Sequence, residues 1–345
     1  MSAQGIAVQL FGGRVSLRLH ARPLIACTAA GALVVTLFVV ALATGGFVIA
    51  VPAVVRALVG AGTPAQEFVV TTLRLPRAVL GLTAGAALGI GGALFQGVTR
   101  NPLASPDVIG LQSGATTGAL LQLVVFGGGT GAVSLGALAG AAAAVLLVTV
   151  LVPLRQAGGA RFVLVGIAVA ALFAAVNEVL LTRTDLTTAM AALVWQTGSL
   201  NGAGWAEVWP VALALVLLLP AALWAGAGLR TLALGEDIAR SLGAPVTAVR
   251  LTALAAAVGL SATATAGAGP LLFVALAAGQ IAQRLTGRPG PAILTAGAVG
   301  ALLTLSSDLA AQRLFGAAGL PAGIITGALG GVYLATLLAR QRRST

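Results

Sequence analysis

The sequence predicts an all-α membrane protein with about ten transmembrane helices, and two observations carry that prediction. Hydrophobic residues fill 59% of the 345 positions, charged residues fill only 8%, and the mean hydropathy is +1.05. A soluble domain has about 25% charged residues, so this composition excludes that class. The apolar residues also fall into runs close to the roughly 20 residues that cross a bilayer as a helix. These runs are 24–44, 76–98, 108–125, 133–152, 162–181, 208–229, 247–267, 270–285, 291–311 and 321–338.

The first run follows a tail that carries Arg14, Arg18 and Arg22, an arrangement that also begins a secretory signal peptide. A cleaved signal has an apolar core of only about 7–15 residues. This run extends from Leu24 to Ala43, which is too long for such a core. We therefore expect it to remain as the first membrane helix.

The arginines orient the predicted helices. All nineteen basic residues are arginine, and with a cytoplasmic N-terminus fourteen of them lie on the cytoplasmic side. That excess is the positive-inside bias of membrane proteins. Residues 1–23 and 341–345 are then cytoplasmic tails, and residues 24–340 form a single transmembrane domain. The arginines left outside are Arg56, Arg74, Arg77, Arg183 and Arg313.

Composition also limits the functions open to this chain. The charges behind the net charge of +11 are spread over many loops, without the basic stripe or aromatic platform of a nucleic-acid-binding surface. The absence of lysine excludes a P-loop, whose lysine contacts the nucleotide phosphates. One cysteine, Cys27, and one histidine, His20, exclude an intramolecular disulfide and a clustered His/Cys metal site. We therefore expect no catalytic residue, metal ligand or cofactor here, and an energy source in a partner or an ion gradient.

The segment from Arg74 to Gly110 differs from an ordinary membrane span. Two arginines stand at one end of its apolar run, and a polar break stands at the other. Within the run, small residues recur every fourth position from Gly81 to Gly97, which lets helix backbones approach closely in lipid. We expect these glycines to serve packing, with a role in a transport pathway as the alternative. The candidate pathway or packing residues are Gly85, Gly89, Gln96, Asn101 and Pro102.

In order and spacing, this segment resembles the signature of the FecCD-type permeases, the membrane subunits of ABC importers for iron–siderophore complexes and vitamin B12. The matched pattern runs from Arg-Leu-Pro-Arg at 74–77, through Gln96, to Arg-Asn-Pro-Leu at 100–103. A second segment, 195–205, resembles the ferric-enterobactin type, although two tryptophans flanking a span are also an ordinary interfacial belt. The resemblance extends from about residue 24 to residue 340. It implies the type II ABC importer architecture of the B12 permeases.

One pair of positions departs from the family pattern. Between Phe273 and Arg284 the family has a Pro-His pair, where this chain has Gly279 and Gln280. A proline would break the helix at that point, whereas a glycine only loosens it. The departure therefore concerns local helix geometry and gating, and it leaves the resemblance of the whole chain intact.

The interior loop 230–246 contains a candidate contact with an ATPase. Acidic residues at 236 and 237, Arg240 one turn later and Gly243 as a stop favour a short helix whose charges complement its dipole. From the residues alone, a solvated interior helix is the simpler interpretation. The resemblance instead implies the coupling helix, an amphipathic segment that docks in a groove of the ATPase. The coupling residues are Leu234, Gly235, Glu236, Asp237, Ile238, Ala239, Arg240, Leu242 and Gly243.

Three exterior arginines, Arg74, Arg77 and Arg313, are candidates for docking a binding protein. A lone arginine there would bind lipid phosphate or pair with Glu67 or Asp308. Three that face one side against the positive-inside bias favour an acidic partner. In the B12 importers that the chain resembles, matching arginines contact glutamates on the binding protein.

The resemblance implies a permease subunit, without catalysis of its own, that translocates a ferric siderophore into the cytoplasm of a bacterium. Its implied partners are two copies of an ATPase, a second permease subunit (identical or related), a periplasmic or lipid-anchored binding protein, and membrane lipid. ATP and Mg²⁺ would belong to the ATPase, and iron would cross only as a chelate. Vitamin B12 and haem are the alternative cargoes. An ion-coupled secondary transporter is the alternative class, although its broken helices and inverted halves are not found in the sequence.

Overall fold

The computed structural model describes residues 6–10, 15–19, 21–152, 160–287, 289–314 and 320–342. Strands β1 (Ile6–Leu10) and β2 (Val15–Leu19) pair antiparallel in a hairpin that the sequence did not predict. The rest of the described chain is built from helices and their connections. Four arginines used for the orientation, the single histidine and the end of the C-terminal tail lie outside the described residues. They are Arg14, Arg155, Arg288, Arg343, His20 and residues 343–345.

Fourteen α-helices are present within these described ranges. They are α1 (Ala21–Ala43), α2 (Val51–Leu58), α3 (Pro64–Glu67), α4 (Leu75–Thr99), α5 (Leu111–Leu120), α6 (Thr130–Leu151), α7 (Ala160–Thr182), α8 (Leu186–Gln196), α9 (Trp205–Leu232), α10 (Glu236–Ser241), α11 (Val246–Ala268), α12 (Val274–Thr286), α13 (Ile293–Leu314) and α14 (Ala322–Arg342).

The prediction of an all-α membrane domain is confirmed, because each of the ten apolar runs coincides with a helix. Seven described helices are long and apolar enough to cross a membrane: α1, α6, α7, α9, α11, α13 and the continuous helix Pro64–Thr99. The helices of the remaining three runs, α5, α12 and α14, are shorter or less apolar.

Two boundaries and one additional helix differ from the prediction for local reasons. A π-helical segment, Phe68–Arg74, joins α3 to α4 and extends the second span toward its N-terminus. Helix α12, which corresponds to the eighth predicted span, begins at Val274 instead of 270. Phe273, just before it, has a left-handed backbone with φ of 64°, which helical residues do not adopt. The apolar helix α8 was not predicted, and its N-terminus is capped by Asp185, which accepts a hydrogen bond from the Thr188 N–H at 3.0 Å.

Helix α4 lies at the centre of the bundle, packed by α9, α11, α12 and α13. Its glycines face the backbones of these neighbours. A Cβ on Gly85 would lie 2.6 Å from the Gly300 carbonyl oxygen of α13, and one on Gly89 would overlap the Ala296 carbonyl. A Cβ on Gly91 would lie 2.9 Å from the Ala257 carbonyl oxygen of α11. The small residues therefore set the distance of helix approach, as their spacing predicts.

Candidate functional site

Helix α10, in the loop predicted to be interior, is delimited by two glycines. Gly235 precedes it with φ of 116°, and Gly243 follows it with φ of 78°, both backbone conformations that favour glycine. At its C-terminus the Gly243 N–H donates to the Arg240 carbonyl, and the Ala244 N–H donates to the Ala239 carbonyl, each at 2.9 Å. This is the Schellman arrangement, which satisfies carbonyls left open at a helix end. The predicted short helix is present with the predicted stop.

The carboxylate of Glu236 anchors α10 to the bundle. It accepts hydrogen bonds from Arg240 at 2.6 Å and from Arg250, in α11, at 2.8 Å. The Arg250 hydrogen bond and charge hold the pKa of Glu236 below its ordinary value, with smaller contributions from Arg240 and Arg100. Asp237 is fully exposed and lies 3.6 Å from Arg240. Charges therefore fix one side of α10 and leave the other side free.

The free side of α10 is apolar. Leu234, Ile238 and Leu242 are 61%, 53% and 65% exposed, whereas Ala239 is buried against the bundle. Ile238 and Leu242 are four residues apart and share one face of the helix, and Leu234 precedes the helix; these three exposed residues are called here the α10 stripe. An exposed apolar stripe held beside charged residues marks an interaction surface.

The polar break after α4 lies beside α10. Arg100 ends α4 with φ of 51°, and its Nη2 donates to the Leu232 carbonyl at 3.0 Å, at the end of α9. The side chain of Asn101 accepts from the Leu103 N–H at 3.0 Å and so shapes the turn. A crevice of about 540 Å³ separates this break from α9 and α12. Its lining includes Gln96, Arg100, Pro102, Leu234 and Gly235.

The predicted pathway or packing residues fall into two groups. Gly85 and Gly89 lie in the α4–α13 contact and serve packing. Gln96 is buried, and its Nε2 donates to the Leu276 carbonyl of α12 at 2.9 Å. Asn101 and Pro102 are exposed at the interior break.

Gln280 joins this region, a role that the sequence alone did not assign. Helix α12 continues unbroken through Gly279 and Gln280, so the departure from the family pair does not interrupt it. The Nε2 of Gln280 donates to the Pro102 carbonyl at 2.6 Å, and its Oε1 lies 3.5 Å from the hydroxyl of Tyr333. The signal available in the sequence was a polar residue in an apolar helix at a position where the family pattern changes.

At the end of the bundle predicted to be exterior, Arg77 binds Asp308 within the chain. Its Nε and Nη2 donate to the two carboxylate oxygens at 2.9 Å and 2.7 Å, and Gln312 donates to the same carboxylate at 2.9 Å. Arg74 donates to the Leu42 carbonyl at 2.8 Å and to the Phe47 carbonyl. These contacts give both arginines a structural role.

Arg313 differs from the other two predicted docking arginines. It is exposed near the end of α13, and it forms no ion pair with any residue in the described ranges. Glu67, the other carboxylate considered for pairing, accepts a hydrogen bond from the Gly62 N–H at 3.0 Å. Of the three, Arg313 is therefore the arginine whose charge is exposed and is not used in an ion pair within the described ranges.

The segment 195–205 closes the exterior end by backbone contacts. Ser199 N–H donates to the Ala268 carbonyl, and Gly323 N–H donates to the Gly198 carbonyl, both at 2.9 Å. Gly198 has φ of 71°, and a Cβ on it would lie 2.5 Å from the Pro270 carbonyl oxygen, so glycine is required there. An exterior cavity of about 430 Å³ lies beside this segment, lined in part by Trp195 and Asn201. Among the described residues, no group of three His, Cys, Asp or Glu side chains could hold a metal ion.

Known proteins match almost the whole chain. The profile of the FecCD transport family matches residues 33–340. The ferric enterobactin transport system permease protein FepG of Escherichia coli (strain K12) is 42% identical over 302 residues, which cover 88% of this chain and 92% of that protein. The achromobactin transport system permease protein CbrC of Dickeya dadantii (strain 3937) is 37% identical over 314 residues, 90% of each chain.

A solved structure shares the fold. It is described as an inward-facing conformation of a metal-chelate type ABC transporter, and it matches with a TM-score of 0.81 and 25% sequence identity. The match covers 91% of this chain and 98% of that one. Together with the extent of the family match, this agreement leaves one assignment: the chain belongs to the FecCD transport family.

Proposed function

We propose that this chain is the permease subunit of an ABC importer that carries a ferric siderophore across the cytoplasmic membrane of a bacterium. The observation that carries the proposal is the 42% identity, over 88% of the chain, to a ferric enterobactin permease. The relatives that follow are permeases for achromobactin and for ferric hydroxamates. Vitamin B12 and haem are the alternative cargoes within the same architecture.

The α10 stripe is the proposed contact with the ATPase. Three exposed apolar side chains, on α10 and at its two ends, form the kind of anchor that fits a hydrophobic groove. The hydrogen bond between Glu236 and Arg250 fixes α10 to α11, so a displacement of α10 is transmitted to α11. Two permease subunits, identical or related, would each place one such helix on one of two ATPase copies. The orientation that follows puts α10 and both chain termini in the cytoplasm.

The exterior arginines are the proposed contact with a binding protein. Arg313 supplies an exposed charge, while Arg74 and Arg77 hold the ends of α4 and its neighbours in position beside it. Charge pairs at the rim of an interface mainly steer encounter and fix orientation. An acidic patch on the binding protein would therefore meet this end of the permease.

Within this complex the chain supplies a path and two docking surfaces, without catalysis. ATP and Mg²⁺ belong to the ATPase. Iron crosses as a chelate, because a sequence with one cysteine and one histidine offers few side chains that could carry the bare ion. Gly85 and Gly89 keep α4 close to α13, and Gln96, Asn101 and Pro102 stand at the interior end of α4, where α10 lies.

Reconstitution in liposomes tests this function. The permease is assembled with the ATPase and binding protein of its own operon, and uptake of radiolabelled ferric enterobactin is measured with ATP inside or outside the vesicles. We expect uptake that requires the ATPase and ATP on the α10 side, and that excess cobalamin or haem does not suppress. Uptake driven by an ion gradient without the ATPase would establish the secondary-transporter alternative instead. Uptake of cobalamin or haem in place of the siderophore would reassign the cargo.

A further inference from the structure

Gln280 lies where three separate parts of the chain meet. Its side chain is buried, with 5% of the residue exposed, in the middle of α12. The 2.6 Å hydrogen bond from its Nε2 to the Pro102 carbonyl joins α12 to the polar break that follows α4. A buried amide in an apolar helix is costly unless it is bonded, so this bond fixes the position of the break relative to α12.

The other side of Gln280 faces α14. The hydroxyl of Tyr333 lies 3.5 Å from its Oε1, and the guanidinium carbon of Arg284 lies 5.9 Å from the centre of the Tyr333 ring. This cation–π distance is within the range of favourable contacts. Two residues of α12 one turn apart therefore hold the same tyrosine. At its other end α14 is fixed by the Gly323 N–H bond to the Gly198 carbonyl.

The polar break also contacts the segment that leads into α10. Arg100 stands two residues before Pro102, and its Nη2 donates to the Leu232 carbonyl at 3.0 Å, where α9 ends. Glu236, which begins α10, lies within the electrostatic influence of Arg100. A continuous series of contacts thus runs from α10 through Arg100 and Pro102 to Gln280 and then to α14.

Helix α14 has room to move beside this series. A cavity of about 210 Å³ separates it from α12 and α13, with Ile281, Ser307, Leu329 and Tyr333 in its lining. Well-packed helices leave few voids of that size. The cavity borders α14 from Thr326 to Tyr333, so this stretch of the helix can shift while the bond between Gly323 and Gly198 is kept.

We propose that Gln280 is a positioning residue that links α10 to α14, so that displacement of α10 by the ATPase moves α14 at Tyr333. This inference rests on the proposed function, in which the ATPase binds the α10 stripe. Coupling of this kind needs a contiguous set of contacts, which the bonded series provides, and space for a second arrangement, which the adjoining cavity provides. The chemistry required at position 280 is a hydrogen-bond donor to the Pro102 carbonyl.

Replacement of Gln280 by methionine tests the link, because Gln280→Met keeps the length of the side chain and removes the donor. The importer is reconstituted with its ATPase and binding protein, and both chelate uptake and ATP hydrolysis are measured. We expect uptake per ATP hydrolysed to fall by about fivefold or more, the lower range of allosteric coupling, while hydrolysis continues. Gln280→His, which restores a donor, should recover most of the ratio.

A second readout separates coupling from simple stability. Thr336→Cys, in a Cys27→Ser background, reports movement of α14 through its rate of maleimide labelling with and without ADP and vanadate. Without a change at position 280 the rate should depend on the trapped nucleotide, and with Gln280→Met it should not. Gln283→Met is the matched control, since Gln283 is one turn away on α12 and its side chain forms no hydrogen bond within the described ranges.

The outcomes distinguish this inference from the proposed function. A wild-type complex that transports no chelate contradicts the proposed function itself. The link is overturned if the wild-type complex transports the chelate and Gln280→Met behaves in the same way. That means a wild-type uptake per ATP hydrolysed and labelling of Thr336→Cys that still depends on the nucleotide. If Gln280→Met does not assemble, the test uses Tyr333→Leu, which removes the contacted ring from α14. An unchanged uptake per ATP hydrolysed in this variant overturns the link, and a reduced value supports it.

Discussion

Arg77 and Asp308 form a two-pronged ion pair that joins the N-terminal end of α4 to the C-terminal part of α13. Arg77 Nη2 lies 2.7 Å from Oδ1 of Asp308, and Nε lies 2.9 Å from Oδ2. The Asp308 side chain is 5% exposed and that of Arg77 is 22% exposed. A buried carboxylate is stabilised by its paired cation. Removing Arg77 alone therefore leaves an uncompensated charge, whereas removing both charges does not.

Breaking this pair from one side should destabilise the protein. Arg77→Met leaves a buried carboxylate without its cation, at a cost of roughly 2–4 kcal/mol once the partial exposure of Arg77 is allowed for. We expect a lower thermal unfolding midpoint in detergent. The double variant Arg77→Met with Asp308→Asn removes both charges and should recover most of the loss. A double variant as unstable as the single one would show that the loss comes from packing and not from the unpaired charge.

The glycines of α4 lead to a prediction about packing. Gly89→Ala adds a Cβ that would overlap the Ala296 carbonyl, so α4 and α13 must separate, at roughly 1–3 kcal/mol for overpacking. Gly31→Ala on α1 is the matched control, because nothing lies within 4 Å of its added Cβ. Thermal unfolding in detergent should show a lower midpoint for Gly89→Ala alone. Equal midpoints for the two variants would contradict the close α4–α13 contact.

Helices and their glycine contacts could be predicted because their signals are local. An apolar run of about 20 residues and a four-residue spacing of small residues each carry their meaning within one segment. The start of α12 was misplaced because the left-handed backbone of Phe273 has no signal in an apolar sequence. The stop at Gly243 was predicted because glycine is the usual residue after a helix that ends in this way.

Partners that are distant in the sequence could not be predicted. Arg77 and Asp308 are 231 positions apart, and Gln280 and Pro102 are 178 positions apart. An arginine near a membrane surface can face lipid, a partner protein or a distant carboxylate, and only the packing of α4 on α13 selects the last. For the same reason the sequence offered Asp308 only as one alternative partner for these arginines, beside lipid phosphate and an acidic binding protein.

The α10 stripe gives a prediction about assembly. Replacing Leu234, Ile238 and Leu242 together with glutamate should detach the ATPase, because charged side chains do not enter an apolar groove. Membrane insertion should be unchanged, since the three side chains are exposed outside the long apolar helices. Replacing the same three with methionine keeps the apolar surface and should retain the ATPase. Co-purification of the glutamate variant with the ATPase at wild-type stoichiometry would contradict the docking role.

Asp107 gives a prediction about pH. Burial raises the pKa of this carboxyl to about 7, and its Oδ1 has no hydrogen-bond partner among the described residues. The pKa of Asp107 is higher in the folded protein than in the unfolded chain. The stability that this group contributes is therefore fully present below about pH 4 and is lost as the pH rises through 7. Asp107→Asn should therefore raise the unfolding midpoint at about pH 8 and have little effect near pH 4.

Asp185→Asn is the control with the opposite sign. The Thr188 N–H bond lowers the pKa of Asp185, so its contribution is present above the ordinary aspartate pKa and is lost as the pH falls. Its replacement should lower the unfolding midpoint at about pH 8 by a small amount, because the site is exposed. An Asp107→Asn variant whose effect does not change between the two pH values would rule out the raised pKa.

The last prediction concerns the exterior surface. Arg313 is exposed and unpaired within the described ranges, so Arg313→Glu should leave the unfolding midpoint unchanged. In nanodiscs at low salt, we expect this variant to bind the binding protein about fivefold more weakly or worse, and the difference should shrink as salt screens the charges. The double variant Arg74→Glu with Arg77→Glu should abolish substrate-stimulated transport with normal ATPase assembly.

That double variant also sets a glutamate against Asp308, so a neutral replacement must separate docking from stability. Arg77→Gln with Asp308→Asn removes the ion pair without leaving a buried charge. If Arg77 contributes its charge to docking, the neutral pair should weaken binding at low salt with little change in the unfolding midpoint. Acid-to-base changes on the binding protein should restore part of the affinity lost by Arg313→Glu, because the pairing is reciprocal. Unchanged affinity of Arg313→Glu at low salt would assign these arginines to lipid phosphate and to the internal contacts of α4.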